Sequence, residues 1–457
     1  VTDVLLDPPR STAPSARGAR LGLAAICLGF LMITIDTTIV NVALGPIVTD
    51  LGGSLSGAQW IVSAYTIAFA TFLLSAGAVA DRVGSRATFI AGLAVFGLGS
   101  VACAAAPSMG TLVAARAVQG LGAAALMPCS LALITHMFPA GPERRGALAA
   151  WGGISAIGLA AGPVLGGALV DGVGWRVIFL VNLPVAALAL AGVLAYVTET
   201  PRHRHPFDLP GQALIIVALG GLSGGFILAG SLGWGAPATL ALLALGLLAA
   251  VAFWRVERAV ALPMIPPELF RRRQFRTVVT VAGIYNFCFY GNLFCLSLYF
   301  HEELGLSPFD TGLALLPLTL VIGSIAFNSG RMIARLGEWR AMIIGLGGGA
   351  VGAAVLAVFG GSSVAVTILA SLPFAAVALA MQAMTALAME GTPVERIGLA
   401  SGVQNAARQA GGALGVALLG TLLAAGGDGL SLHLPIGLVA ALEVVALGVA
   451  VAGRRGD

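Results

Sequence analysis

Apolar positions run along this chain in about fourteen stretches, each close to the ~20 residues that a helix needs to cross a bilayer, with polar residues gathered in the short gaps. The stretches fall at roughly 21–45, 58–80, 87–106, 109–137, 146–170, 175–197, 210–231, 236–256, 276–300, 311–334, 340–360, 363–389, 397–424 and 431–453. The pattern predicts fourteen transmembrane helices and an all-α polytopic membrane protein.

The gaps alternate in charge. One side collects Arg10, Arg17 and Arg20, then Arg82 and Arg86, Arg144 and Arg145, Arg202 and Arg204, Arg255, Arg258 and Arg271 to Arg273 with Arg276, then Arg331, Arg335 and Arg340, Arg396, and finally Arg454 and Arg455. The other side has Arg176 beside Asp50, Asp171, Glu302, Glu303, Asp310 and Asp428. The excess of arginine in cytoplasmic loops then places both ends of the chain in the cytoplasm, which suits an even number of spans.

An internal repeat runs through the pattern. GAVADRVG (Gly77 to Gly84) returns as GRMIARLG (Gly330 to Gly337) at an offset of 253 residues. The same offset carries Gly158 and Gly162 onto Gly411 and Gly415. Eight helices separate each pair, as two six-helix halves with two helices inserted between them require. Repeated halves around a midplane site are the plan of secondary transporters. The expected organisation is a disordered cytoplasmic tail over 1–20 and a six-helix unit over 21–197. Linkers with two accessory helices (about 210–256) follow over 198–275, then a second six-helix unit over 276–453 and a short tail over 454–457. The first apolar stretch is too long for a signal-peptide core and is expected to stay as an anchor.

Composition removes the soluble alternative. The 457 residues are 58% hydrophobic and 10% charged, against about 25% charged in soluble domains. All 24 basic residues are arginine, and with the 63 glycines this hints at a GC-rich source genome. The net charge of +4 points to no nucleic-acid partner. Five cysteines lie in apolar stretches without CxxC spacing, so neither a metal site nor a disulfide framework is supported. No Walker-type loop, HExxH or nucleophile elbow appears, and an enzyme is not expected.

Five glycine-rich or polar strings fall in order on the predicted helices. They are IDTTIVNVALGPI in helix 1, GAVADRVGSR after helix 2, RAVQGLGAAALMP in helix 4, GLAAGPVLGG in helix 5 and NAARQAGGALG in helix 13. On these strings the chain resembles the fourteen-helix drug–proton antiporters of the major facilitator superfamily, in particular the methylenomycin-resistance type of exporter. The chain departs from the pattern where Gly45 precedes Pro46 and where Ala334 replaces an acid in the second gate-like loop. The resemblance implies two pseudo-symmetric six-helix bundles plus two inserted helices. It also implies proton-driven export of an amphipathic drug or antibiotic by alternating access, in a bacterial cytoplasmic membrane. No cofactor is expected beyond the coupling proton, and a monomer in the lipid bilayer is expected. Transport of one specific metabolite is the alternative within this fold. A non-transporting sensor is the alternative outside it, and no signalling domain is legible in these residues.

Asp36 and Arg116 carry the first candidate chemistry. An ionised side chain at mid-span costs about 2.5–3.5 kcal/mol even on the lenient insertion scale, so such residues are functional candidates. Both lie ~11–12 Å below the same helix ends at 1.5 Å per residue, which makes them plausible neighbours. Either Asp36 carries the coupling proton, the substrate or both in competition, with the resemblance implying that Arg116 and Gln119 take part in proton transfer, or Asp36 and Arg116 form a fixed pair that locks helices. Thr34, Thr37, Thr38 and Asn41 form a stripe on helix 1 with Asp36 nearly opposite; one face meets the cavity and the other a neighbour. Helix 5 presents Gly158, Gly162, Pro163, Gly166 and Gly167, a packing and hinge device expected to seal the seam between halves. Gly77, Asp81, Arg82, Gly84 and Arg86 form a candidate cytoplasmic latch, or a solvated turn. Arg408 and Glu443 sit at matched depth about a short turn and are expected to pair, as a lock or as a second protonatable site. Thr37, Asn41, Tyr65, Tyr285, Asn286, Phe289, Tyr290, Asn292, Gln404 and Asn405 are candidates for the substrate cavity, aromatic rings and amides together suiting a large, partly apolar ligand.

Overall fold

A computed structural model describes residues 16–139, 141–202, 208–260, 263–265, 267–390, 397–426 and 429–454. Among them fourteen helices are long and apolar enough to span a membrane. We number them α1 (Arg17–Asp50), α2 (Leu55–Val83), α3 (Ser85–Ala104), α4 (Met109–Met137), α5 (Pro142–Val173), α6 (Val177–Tyr196), α7 (Leu209–Leu232), α8 (Pro237–Ala259), α9 (Arg273–Glu303), α10 (Pro308–Leu336), α11 (Glu338–Phe359), α12 (Val364–Met389), α13 (Leu399–Leu423) and α14 (His433–Arg454). The expected tail over 1–20 is corrected at its end, because Arg17 and Arg20 already stand in α1. Arg10, Arg204, Arg396, Asp428 and Arg455 lie outside the described residues.

The two sides of the bundle use different devices to reverse the chain. At the arginine-poor ends, Ser54, Ser108, Ser307 and Ser363 cap α2, α4, α10 and α12, each hydroxyl accepting from a backbone N–H of the first turn. At the arginine-rich ends, Gly84 (φ +107°) and Gly337 (φ +80°) join α2 to α3 and α10 to α11. A side chain would strain either turn. Gly84 and Gly337 are related by the repeat offset, as are Ser54 and Ser307. The internal repeat is therefore a repeat of chain-reversal geometry.

α1–α6 form one bundle and α9–α14 the other. In the first, α4 packs between α2 and α3, and α1 packs along α5 and α6. In the second, α9 packs along α13 and α14, with α11 against α14 and α12. Two long faces join the bundles, α2 with α13 and α5 with α10, and further contacts lie at the arginine-poor end. There the Ser297 hydroxyl of α9 donates to the Asn41 carbonyl of α1 (2.8 Å), and the Phe309 N–H of α10 donates to Asp171 of α5 (3.0 Å). At the arginine-rich end two arginines bond inside their own bundles. Arg86 donates to the carbonyls of Val193 and Leu194 at the end of α6, and Arg273 to that of Ala452 in α14.

α7 lies against the α2–α13 face and α8 packs outside it. Gln212 of α7 is bonded to Ser75 and to the Thr71 carbonyl, and the Phe226 carbonyl accepts from Thr421 of α13. The inserted pair thus holds one helix from each half. α8 carries a buried acid. Glu257 is fully enclosed at its last turn, accepting from the Ile265 N–H (2.8 Å).

Candidate functional site

Four helices converge on Asp36. Close approach of α2 and α4 permits it: a Cβ on Gly120 would lie 2.4 Å from the Tyr65 carbonyl oxygen. α4 can therefore sit deep enough for Arg116 and Gln119 to reach α1. Arg116 Nη1 meets Asp36 Oδ2 at 2.5 Å. The other carboxylate oxygen accepts from Asn182 Nδ2 of α6 (3.1 Å) and Gln119 Nε2 (3.4 Å). Ser100 of α3 receives a bond from each of those amides, at 3.3 and 2.7 Å. No residue of this group is more than 2% exposed.

The guanidinium is held from three further directions. It donates to the Ile61 carbonyl (3.3 Å) and to Gln119 Oε1 (2.7 Å), and it lies 4.3 Å from the centre of the Tyr65 ring. The group is a buried, charge-balanced network, the condition under which an intramembrane pair is tolerated. Tyr65, expected in a substrate cavity, belongs here instead. Its ring faces Arg116 and its hydroxyl is buried without a partner. Asn182 and Ser100 were missed by sequence reasoning. Asn182 was the findable one, an amide inside the apolar run FLVNLPV.

The opposite face of α1 packs on α5. A Cβ on Gly158 would lie 2.2 Å from the Thr34 hydroxyl oxygen, and one on Gly162 1.9 Å from that of Thr38. Gly166 meets Ile39 and Val42 in the same way. This corrects the expectation for α5, because three of its glycines close α1 onto α5 within one bundle. Pro163 and Gly167 alone of the five face the other bundle, against Gly312 and Pro308 of α10. Thr37 and Asn41 spend their side-chain hydrogens on their own helix, bonding the carbonyls of Ile33 and Thr37.

In the loop after α2, the candidate latch residue Arg86 closes onto α6 of its own bundle, and the Glu199 carboxylate accepts from the N–H groups of Arg86 and Ala87. Glu199 thereby caps the start of α3, where a carboxylate also meets the positive end of the helix dipole. Asp81 and Arg82 lie exposed beside it, Gly84 makes the turn, and Gly77 stands in open space on α2.

The expected Arg408–Glu443 pair does not form. Among the described residues the ion pairs are Asp36–Arg116 and Asp50–Arg176. Matched depth set the two residues at one level, but helix phase turns them apart. Glu443 is fully buried where α14 packs on α9 and α11, 3.5 Å from where a Cβ on Gly349 would lie, and neither carboxyl oxygen has a partner. Arg408 points toward α9 and α12. It is half-buried and donates to Asn405 Oδ1 (3.2 Å), Asn286 Oδ1 (3.5 Å) and the Met381 sulfur (3.5 Å).

Aromatic rings line the α9 side of Arg408. Tyr285 and Phe289 stack at 5.9 Å, and Tyr290 meets Phe289 edge-on at 5.2 Å. Of the ten cavity candidates, Tyr290 and Asn405 retain partial exposure, and the rest are buried. Four of them hold buried polar atoms without partners: the Tyr65 hydroxyl, Asn286 Nδ2, Asn292 Oδ1 and Gln404 Nε2. Gln59 was not anticipated at all. Its amide crosses from α2 to the Ala417 carbonyl of α13 (2.8 Å).

The family model described as the Major Facilitator Superfamily matches residues 26–214 and 211–416. The multidrug resistance protein Stp of Mycobacterium tuberculosis is 38% identical over 408 residues, 89% of this chain and 76% of that protein. The puromycin resistance protein pur8 of Streptomyces alboniger is 39% identical, over 88% of this chain and 81% of its own. The methylenomycin A resistance protein of Streptomyces coelicolor is 36% identical, over 88% and 85%. Among solved structures, human MFSD10 superposes with a TM-score of 0.67 at 18% identity, over 97% of this chain and all of its own. That likeness is one of fold.

Proposed function

Because this chain belongs to the major facilitator superfamily, we propose that it exports drugs or antibiotics across a bacterial cytoplasmic membrane in exchange for protons, by alternating access. That it is a multi-pass transporter follows from the family and the fourteen spans. The export direction and the drug class rest on relatives whose names record resistance to multiple drugs, puromycin and methylenomycin A. The arginine-rich ends face the cytoplasm by the positive-inside rule, so the Ser297–Asn41 and Phe309–Asp171 contacts between the bundles lie on the outer side.

The observation that carries the proton reading is the Asp36 network. A proton on Asp36 removes the counter-charge of Arg116 while leaving its bonds to the Ile61 carbonyl and Gln119. The guanidinium keeps a place to rest in either state, so protonation can be reversible without unfolding the bundle. α1 also carries the Asn41 carbonyl that Ser297 of the other bundle holds. A change at Asp36 therefore acts on the same helix that forms the outer contact.

The test uses the purified chain in proteoliposomes with an entrapped pH indicator and methylenomycin A as the added drug. Wild type should move protons against the drug. Asp36→Asn should abolish that movement while the protein stays monodisperse. Near-normal proton movement by the variant sinks the assignment of Asp36.

A further inference from the structure

We infer that the α9–α13 face around Arg408 is an anion-recognition pole, so that the drugs this chain takes carry an ionised acid, such as a carboxylate or enolate, on an aromatic or apolar body. The inference rests on the export reading and narrows its substrate class.

Arg408 and Arg116 are the chain's two mid-span arginines, and their surroundings differ in kind. Arg116 has Asp36. Arg408 has two amide oxygens and a thioether, which are dipoles without net charge, and no described carboxylate lies within 4.0 Å of it. The acid at its depth, Glu443, is turned to the far side of α9. A positive charge held at mid-span without a counter-ion is costly, and such residues face a polar space and mark substrate paths.

The atoms around it are donors that lack acceptors. Asn286 gives its oxygen to Arg408, which leaves its Nδ2 buried and unpartnered. Gln404, one turn before Arg408 on α13, has its Nε2 in the same condition. Both side chains are 1% exposed. Unpaired buried donors are rare and call for an acceptor. A guanidinium with two amide N–H groups offers that acceptor the geometry of a carboxylate site. Tyr290, packed on Gly412 one turn beyond Arg408, extends the stacked Tyr285 and Phe289 rings beside it. The ligand is thereby offered an apolar wall next to a positive pole.

Pseudo-symmetry separates this feature from the scaffold. The repeat offset that superposes the glycines of α5 on those of α13 sets Ser155 opposite Arg408. The scaffold is built twice, and the arginine once.

Fluorescein and rhodamine 123 share a xanthene frame and differ in charge, the first an anion and the second a cation. Cells lacking their own pumps and expressing the full chain would be loaded with each dye, and its energised efflux followed. Wild type should export fluorescein. Arg408→Gln should raise the KM for fluorescein about tenfold or more with little change in maximal rate, and Arg408→Lys should recover part of the loss. Repeating the assay in phosphatidylcholine proteoliposomes with and without phosphatidylglycerol separates drug from lipid headgroup. A fluorescein KM that falls when the anionic lipid is removed still places an anion at Arg408. Export of rhodamine without fluorescein, unchanged in Arg408→Gln, overturns the inference and leaves drug export standing. Loss of both dyes in a monodisperse Arg408→Gln protein overturns it too, because the residue then serves coupling. Export of neither dye, with no response to methylenomycin A, brings down the export reading itself.

Discussion

Removing Asp36 and Arg116 singly and together separates a charge pair from mere proximity. In Asp36→Leu the guanidinium keeps the Ile61 carbonyl and Gln119 but stands buried without a counter-charge. In Arg116→Leu the carboxylate keeps Asn182 and Gln119 and is likewise uncompensated. With a 2.5 Å contact, charge centres lie about 4 Å apart, worth about 4 kcal/mol at an effective dielectric of 20. Each single change should therefore cost about 3–5 kcal/mol, in line with buried pairs broken from one side. The double change leaves no lone charge. Gln119 and Asn182 retain Ser100 as an acceptor, so neither amide is orphaned. The double mutant should recover about 3 kcal/mol or more relative to the sum of the single losses. The same cycle on Arg408 and Glu443 should give additive losses, within about 0.5 kcal/mol, because the two do not meet. Reversible denaturant unfolding in mixed micelles measures both cycles. A coupling below about 1 kcal/mol for Asp36–Arg116, or one as large for Arg408–Glu443, refutes the reasoning.

Four shorter expectations follow from the packing. Gly162→Ala drives a methyl into the Thr38 hydroxyl and should cost about 1–3 kcal/mol, and Thr38→Ala in the same chain should recover part of it, read by thermal unfolding. Glu443→Gln should change stability by less than about 1 kcal/mol, since the carboxyl accepts no hydrogen bond, and a large loss would show a partner for it. Gln59→Leu removes a buried bond between the bundles and should cost about 1 kcal/mol, with faster cross-bundle separation seen by distance labels on α2 and α13. Asp50→Asn breaks an ion pair whose members are 48% and 44% exposed, and should leave the thermal midpoint nearly unchanged at moderate salt.

The amino-acid sequence by itself determined the class, the count of spans and their repeat. Each of these is written in properties of single segments: apolar length, loop charge, and the small residues and turn glycines that recur at one offset. Depth was also legible, since rise per residue is fixed. Asp36 and Arg116 could be set at one level before any contact was known, and they do meet. The same argument set Arg408 and Glu443 at one level, and they do not meet. The difference is azimuth. Which way a side chain points around its helix axis depends on how neighbouring helices are rotated and how closely they approach, and that is decided by packing among segments far apart in sequence. Azimuth also moved Tyr65 from a cavity to the Arg116 network and turned three α5 glycines onto α1. It brought Asn182 to Asp36 across 146 positions of chain. Single helices specify what can enter the membrane and how deep each polar group lies; only their mutual packing decides which of those groups face one another.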